Sequence, residues 1–481
     1  MNIGSILRRE RKRKKLSIKK LASIIGIDYS YVSKFESNKA MPSEELITKL
    51  CALYNLDTKE MLIRTGRLPD DIKAVISEHP FEACNLLKNK FRNRISDPHS
   101  PTVFCVSPRK RGRCQKSRLP IISLFTGAGG LDIGLERTGF EVKVCIDNDK
   151  DCWKTIELNT SWPIMKNHDG DLKKIKSEEI LAFANLREGE AALVVGGAPC
   201  QPFSNIGKRK GVQDTRDGSL FQEFVRVVKG TRPAGFIFEN VSGLLQKKHE
   251  IVIEYMLTEL SNIGYAVSYA LVNASDYGVP QRRKRVFFLG RRDNIKPGFP
   301  FPTHSEDPKR FCALFSEYGT KLPWELQNWI TVADAFYSID ENLLGSSNCL
   351  SMNISDKVKE RMTYIAGNMN FKNLPDHLKP RCWKTGRHQG ADTFGRLQPD
   401  RPSVTIRTCA YNPSKGRYIH PYDNRGLNTV ELALLQSFPA HWKFYGSLVS
   451  VGRQIGNAVP PKLGEAFGLV MYEQVCEVLN L

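Results

Sequence analysis

Ala192-Leu193-Val194-Val195-Gly196-Gly197-Ala198-Pro199-Cys200-Gln201-Pro202-Phe203-Ser204 is the stretch whose reading sets the fold. Its apolar, β-branched beginning has the length and composition of a buried parallel strand. Two glycines stop that strand, and prolines fix φ on either side of one cysteine. A stiff loop that carries a thiol at a strand's carboxyl end suits a nucleophile, because open α/β sheets gather ligands at that edge. A buried, inert cysteine fits the same residues equally well. The stretch alone leaves both readings open.

Working outward, the flanking residues repeat the strand-then-turn pattern. Leu119 to Phe125 reads as a strand that runs into Thr126-Gly127-Ala128-Gly129-Gly130 and then a helical pattern. Such a glycine turn lets a ligand approach the backbone. The next strand, Val142 to Ile146, ends in Asp147, twenty residues after Gly127. Rossmann-like folds place a carboxylate for ribose hydroxyls at about that offset. Downstream, Pro233 to Phe238 is a further strand, leading into Glu239. Sheet order can bring Glu239 to the edge that carries Cys200. Ser275 to Arg285 leads into the strand Val286 to Leu289, and alternation projects Arg283 and Arg285 to one side. These alternations predict an α/β, Rossmann-like domain.

The chain has 481 residues, room for two to four compact units, and carries 71 Lys+Arg against 51 Asp+Glu, a formal +20. That excess points to a polyanionic partner. No apolar run is long enough to span a membrane and the N-terminus has no signal-peptide pattern, so no membrane role is expected. The 12 cysteines are scattered, with no Cys-x-x-Cys pair. No metal site and no disulfide framework is therefore expected, which suits a reducing cytoplasm.

Before the α/β pattern lies a basic helical run, Arg8 to Lys15, followed by two short helices. Ser17 is the expected N-cap and Gly26 the expected stop of the first; Asp28 starts the second. Leu21, Ile24, Ile25, Val32 and Phe35 supply the apolar faces. Residues 71–92 have the apolar content of one amphipathic helix, and Pro108 to Arg118 is a basic tether. From about Asn294 to Asp400 the regular α/β pattern fades, and Arg381, Lys384, Arg387, His388, Arg396, Arg401 and Arg407 make the stretch to Thr408 basic.

Gly-Ala-Pro-Cys-Gln-Pro-Phe-Ser at 197–204 resembles the catalytic loop of the DNA (cytosine-5) methyltransferases, and further blocks of that family follow in its order over 119–292 and 396–465. The first sixty-odd residues resemble a repressor-type helix-turn-helix. The resemblance implies S-adenosyl-L-methionine as cofactor, held by Phe125, the Gly127 and Gly129 turn, Asp147, Asp171, Pro199, Leu220 and Asn457. At Asn148 many members carry an aromatic ring against adenine, so about 1 kcal/mol of stacking is missing or supplied elsewhere. It implies Cys200 as nucleophile toward cytosine C6. Glu239 is then the N3 partner, with its pKa raised in a closed site. Arg283 is the O2 partner, and Arg285 braces the loop or binds phosphate. Gln201 and Ser204 are expected to contact DNA around an extruded base. In the helix-turn-helix, Tyr29, Ser30, Ser33 and Lys34 face the major groove.

The expected organisation is a helix-turn-helix domain at 1–66 and a basic linker at 67–118. A catalytic segment at 119–292, a smaller irregular target-recognition domain at 293–436 and a returning catalytic segment at 437–481 complete it. The expected function is sequence-specific methylation of cytosine C5 in double-stranded DNA, as in a restriction–modification system with a cognate endonuclease. The rivals are a tRNA cytosine methyltransferase and a repressor with an inactive methyltransferase part.

Overall fold

The computed structural model describes residues 3–14, 16–36, 43–54, 56, 58, 61, 105–106, 118–198, 220–246, 249–317, 324–337, 339, 344, 349–384, 390 and 392–481. The chain forms two compact units, Met1–Asp97 and Pro98–Leu481.

The first unit is helical: α1 (Ile3–Arg13), α2 (Ile18–Ile25), α3 (Tyr29–Glu36) and α4 (Glu44–Tyr54). The Ser17 hydroxyl accepts the Lys20 N–H at 3.1 Å and so caps α2. Gly26, at φ 73°, ends that helix and turns the chain into α3. Leu21, Ala22, Ile25, Val32, Phe35, Leu46, Ile47 and Leu50 form one core, while Ile24 is exposed. Arg11 leaves the basic run and turns inward. Its Nε and Nη2 donate to the Glu36 carboxylate at 2.7 and 2.8 Å, and its Nη1 donates to the Leu16 carbonyl at 2.7 Å. Of the basic run, Arg11 is therefore spent on the core rather than on phosphate. The helix expected over 71–92 lies outside the described residues.

The second unit is built on a six-stranded sheet. Its strands are β1 (Leu119–Leu124), β2 (Phe140–Ile146), β3 (Leu193–Gly197), β4 (Gly235–Val241), β5 (Ala266–Asn273) and β6 (Lys284–Arg291). The spatial order is β2-β1-β3-β4-β6-β5. The first four strands are parallel, and β6 runs antiparallel between β4 and β5. Alternation along the strands feeds two cores. Ile121, Leu193, Val195, Ile237, Phe287 and Leu289 face one side; Ile122, Leu124, Val194, Phe236, Phe238, Val286 and Phe288 face the other. Burial on both faces is why these strands read as continuous apolar runs.

The first face packs against α5 (Gly130–Arg137) and, from the far end of the chain, α12 (Pro461–Leu479). The second face is covered by α7 (Ser177–Ala184), α8 (Leu220–Thr231) and α9 (Glu250–Asn262). Between β2 and α7 lies α6 (Lys150–Asn159). Cys105–Val106 pairs in parallel with Phe299–Pro300.

The irregular region has its own small core of Met362, Ile365, Phe371, Leu374, Phe394 and Ile419. At its centre is Arg396, which the sequence places in the basic stretch from Arg381 to Thr408. The structure puts it inside. Arg396 is 7% exposed, and its guanidinium donates to the carbonyls of Ile365, Met362, His420 and Asp423 and to Asn424 Oδ1. A guanidinium with every donor so engaged is a structural hub. Arg407 likewise bonds Tyr418 and the Lys415 carbonyl, while Arg387 and His388 lie outside the described residues. The chain returns to the main core through α10 (Thr429–Leu435) and α11 (Leu448–Asn457). Gln454 to Asn457 form the last turn of α11 and lead into α12.

Candidate active site

Strand order reverses at β1, with β2 on one side and β3 on the other, so a crevice opens at its carboxyl end. Phe125 leaves the strand at φ 54°, an unusual conformation for a non-glycine residue, and Gly127 and Gly129 continue the turn into α5. The Gly127 N–H donates to Asp147 Oδ2 at 2.8 Å, and the Asp149 N–H donates to Oδ1 at 2.8 Å. The two backbone donors fix the carboxylate's direction. Burial raises the Asp147 pKa, and the same two donors oppose that rise.

Asp171 reaches this crevice by a turn in which His168, Asp169 and Gly170 are all left-handed. Gly170 lies hard against the end of β2: a Cβ there would be 1.9 Å from the Asp147 carbonyl oxygen. The turn therefore brings the backbones that carry Asp147 and Asp171 together. Asp171 Oδ1 accepts the Lys173 N–H at 3.2 Å, and Lys174 stands 3.6 Å from Oδ2. Phe125 and Leu220 both pack against the same apolar core. Asn148 is exposed, and Asn457 is exposed at the end of α11. Asp132, in the first turn of α5, is buried; burial pushes its carboxyl up to about 6, and its Oδ1 has no partner among the described residues.

The other half of the edge is built by β3, β4 and β6. Gly197 pairs directly with Glu239, and a Cβ at 197 would lie 2.9 Å from Glu239 Oε2. Glycine there leaves room for the carboxyl. Because β6 is antiparallel, its beginning lies at this same edge, with Val241 opposite Arg285. Arg285 Nε stands 2.9 Å from Glu239 Oε1 as an ion pair, yet Oε1 has no well-aligned hydrogen-bond donor among the described residues. Glu239 is 6% exposed. Burial raises its pKa, against the pull of Arg285 and Arg283.

Arg283 differs from its expected placement as a base-facing group. It is 1% exposed, and its terminal nitrogens donate to the carbonyls of Ile406, Gly456 and Ala458 at 2.9, 2.9 and 3.1 Å. Among the described residues Nε has no partner. Burial, and next the like charge of Arg285, push its pKa down to about 9. Arg283 ties the start of β6 to the returning segment, and Arg285 is the arginine paired with Glu239. Arg283 precedes β6 and Arg285 lies within it, and spacing alone does not say which arginine meets the returning chain.

Three side chains that sequence reading did not single out support this edge. Asn240 Nδ2 donates to the Ala198 carbonyl at 3.4 Å, just ahead of the cysteine loop. Buried Gln281 accepts the Ile406 N–H at 2.8 Å and donates to the Leu435 carbonyl at 3.1 Å. The Trp153 ring N–H donates to the Asp147 carbonyl at 2.6 Å. The adjacency of Asn240 to Glu239 was the one available signal. Pro199, Cys200, Gln201 and Ser204 lie outside the described residues.

In the N-terminal unit, Tyr29, Ser30, Ser33 and Lys34 are exposed along α3, and Tyr31 packs edge-on against Phe35 at 5.9 Å. Among the described residues no group of three His, Cys, Asp or Glu is placed to hold a metal ion. No described helix is long and apolar enough to cross a membrane.

Comparison with known proteins adds to this geometry. Residues 119–473 match the family of C-5 cytosine-specific DNA methylases, and residues 7–61 match a helix-turn-helix family. The chain is 31% identical over 395 residues to the Type II methyltransferase M.SacI of Streptomyces achromogenes, covering 74% of this chain and 93% of that one. It is 32% identical to M.NgoPII of Neisseria gonorrhoeae, covering 72% and 93%. A crystal structure of a prophage-encoded E. coli protein, described as a candidate DNA modification methyltransferase, shares the fold at TM-score 0.54 and 24% identity, covering 76% of this chain and all of that one.

Proposed function

This chain belongs to the C-5 cytosine-specific DNA methylases, and we propose that it is the modification enzyme of a restriction–modification system, methylating cytosine C5 within a short duplex DNA sequence. The observation that carries this reading is Glu239. It is a buried carboxyl with a raised pKa and an oxygen lacking an aligned donor among the described residues. It sits beside Arg285 at the sheet edge where the Cys200 loop begins.

The crevice fits S-adenosylmethionine. Asp147 and Asp171 are acceptors for hydroxyl and amino hydrogens on neighbouring backbones, and Phe125 and Leu220 offer apolar surface. Asp147 would hold the ribose and Asp171 the adenine amino group, with Pro199, Asn148 and Asn457 lining the site. When bound, this group supplies an electrophilic methyl on a sulfonium.

The chain's own residues act on the cytosine. It must leave the duplex to be reached. The Cys200 thiolate adds to C6 and raises electron density at C5. Protonated Glu239 donates to N3 and draws off the charge that develops on the ring, and Arg285, beside it, offers donors to O2. Arg283 holds the start of β6 in place for both. Once C5 carries the methyl, its proton passes to solvent, the electron pair left behind rebuilds the C5–C6 double bond and expels Cys200 as thiolate, and N3 returns its proton to Glu239.

The test is to incubate the protein with S-adenosylmethionine, plasmid DNA and tRNA, and to map 5-methylcytosine at base resolution. Methylation at one short DNA motif is expected, and Cys200→Ala is expected to abolish it while DNA binding persists. Methylation of tRNA alone would overturn the substrate.

The exposed face of α3 supports a second DNA contact, through which the N-terminal unit represses the protein's own promoter. Deleting residues 1–66 is expected to leave methylation intact and to abolish promoter binding in a gel-shift assay. Equal loss of both would count against separate tasks.

A further inference from the structure

We propose that Trp153 is a positioning residue for the adenosyl ligand, wedging together the two backbone stretches that carry Asp147 and Asp171. This rests on the reading of the crevice as the S-adenosylmethionine site.

Three contacts meet on this one ring. Its N–H donates to the Asp147 carbonyl at 2.6 Å. Its Cζ2 lies 3.1 Å from where a Cβ on Gly170 would stand, the same point that is 1.9 Å from that carbonyl oxygen. Lys166 Nζ is 5.9 Å from the ring centroid, and Lys166 is itself held by the Glu157 carboxylate at 2.5 Å. Lys166 directly precedes the left-handed turn that delivers Asp171. Trp153 therefore touches the end of β2, the glycine under it and the residue that opens the turn.

The consequence concerns both acids. With Trp153 on the carbonyl and two N–H groups on the carboxylate, all three oxygens of Asp147 are engaged. His168 and Asp169 hold left-handed conformations that persist only where the surroundings over-determine them. Trp153 is a half-buried side chain placed to do so, and it follows Asn148, which is exposed and offers the crevice no such wall. The spacing of Asp147 and Asp171 is thus set from α6, outside the acid-bearing loops.

The test is calorimetric binding of S-adenosylhomocysteine to the full-length protein. Trp153→Ala is expected to raise Kd about ten-fold, and Trp153→Phe, which keeps a ring and loses the N–H, about three-fold. Methylthioadenosine, which lacks the amino-acid end, should lose the same factors. KM for S-adenosylmethionine should rise while kcat at saturation and DNA affinity hold. A fall in kcat and in DNA affinity alongside the rise in KM would mark a general loss of structure and overturn the positioning role. Wild-type binding with unchanged affinity in Trp153→Ala overturns the proposal, and if that variant does not fold, unchanged affinity in Trp153→Phe does so. Absence of binding by the wild-type protein overturns the cofactor reading itself, and the proposal with it.

Discussion

In the β2–β1–β3 half of the sheet, Asp147 is held by backbone: N–H groups of Gly127 and Asp149 on its carboxylate and a tryptophan ring on its carbonyl. In the β4–β6–β5 half, Glu239 is held by side chains: Arg285 at 2.9 Å, with the buried charge of Arg283 behind it. The strand directions account for this. Parallel strands bring only their carboxyl ends to the edge, where turns supply N–H donors. Antiparallel β6 brings its beginning there, and with it Arg283 and Arg285. Backbone donors cannot withdraw, so the first half presents a fixed acceptor. The Arg285 side chain can rearrange, so the second half presents a carboxyl whose protonation can follow its substrate. A ligand read by hydroxyl groups needs the former; a base that must be polarised needs the latter.

The sharpest way to break this contrast is at Glu239. Glu239→Ala is expected to slow methyl transfer about a thousand-fold in single-turnover assays, with S-adenosylhomocysteine affinity unchanged. The sign of the pH effect follows from the raised pKa. The acid form is the donor, so it persists to higher pH than in an ordinary glutamate and is lost as pH rises through the folded value. The wild-type rate should carry a descending alkaline limb from this group, and Glu239→Gln, neutral at every pH, should lack it. A limb that survives in Glu239→Gln would assign the titration elsewhere.

Legibility from sequence divided along the same line. Where strands are buried on both faces, as at Leu193 to Val195 and Phe236 to Phe238, an apolar run announced them. The edge strand β5 did not announce itself: Ser268 and Tyr269 interrupt the run, and Leu271 is 43% exposed. Asp147 was found by its offset from Gly127, a local relation. Arg283 and Arg285 were read as a pair, yet their division of labour depends on carbonyls more than a hundred residues away, at Ile406, Gly456 and Ala458. Arg396 shows the same limit. Net charge counts it as surface, whereas five bonds to distant oxygens make it interior. Local geometry was readable; the partner of a buried charge was not.

A smaller effect is expected on the fixed-acceptor side, at Gly170. Alanine there brings a Cβ to within 1.9 Å of the Asp147 carbonyl oxygen, at a φ of 70° that side chains rarely adopt. The backbone must shift, at a cost of roughly 1–3 kcal/mol shared between local strain and a displaced Asp171. Gly170→Ala should therefore weaken S-adenosylhomocysteine binding by about ten-fold or somewhat less. The alkaline limb of the rate at saturating S-adenosylmethionine should stay where it is, because Glu239 and its arginines belong to the other half of the sheet. Calorimetry and a pH–rate profile on one variant thus separate the halves. A shifted limb with unchanged affinity would mean that the halves are coupled through the sheet and that the rigid pairing of Asp147 with Asp171 is not what the ligand reads.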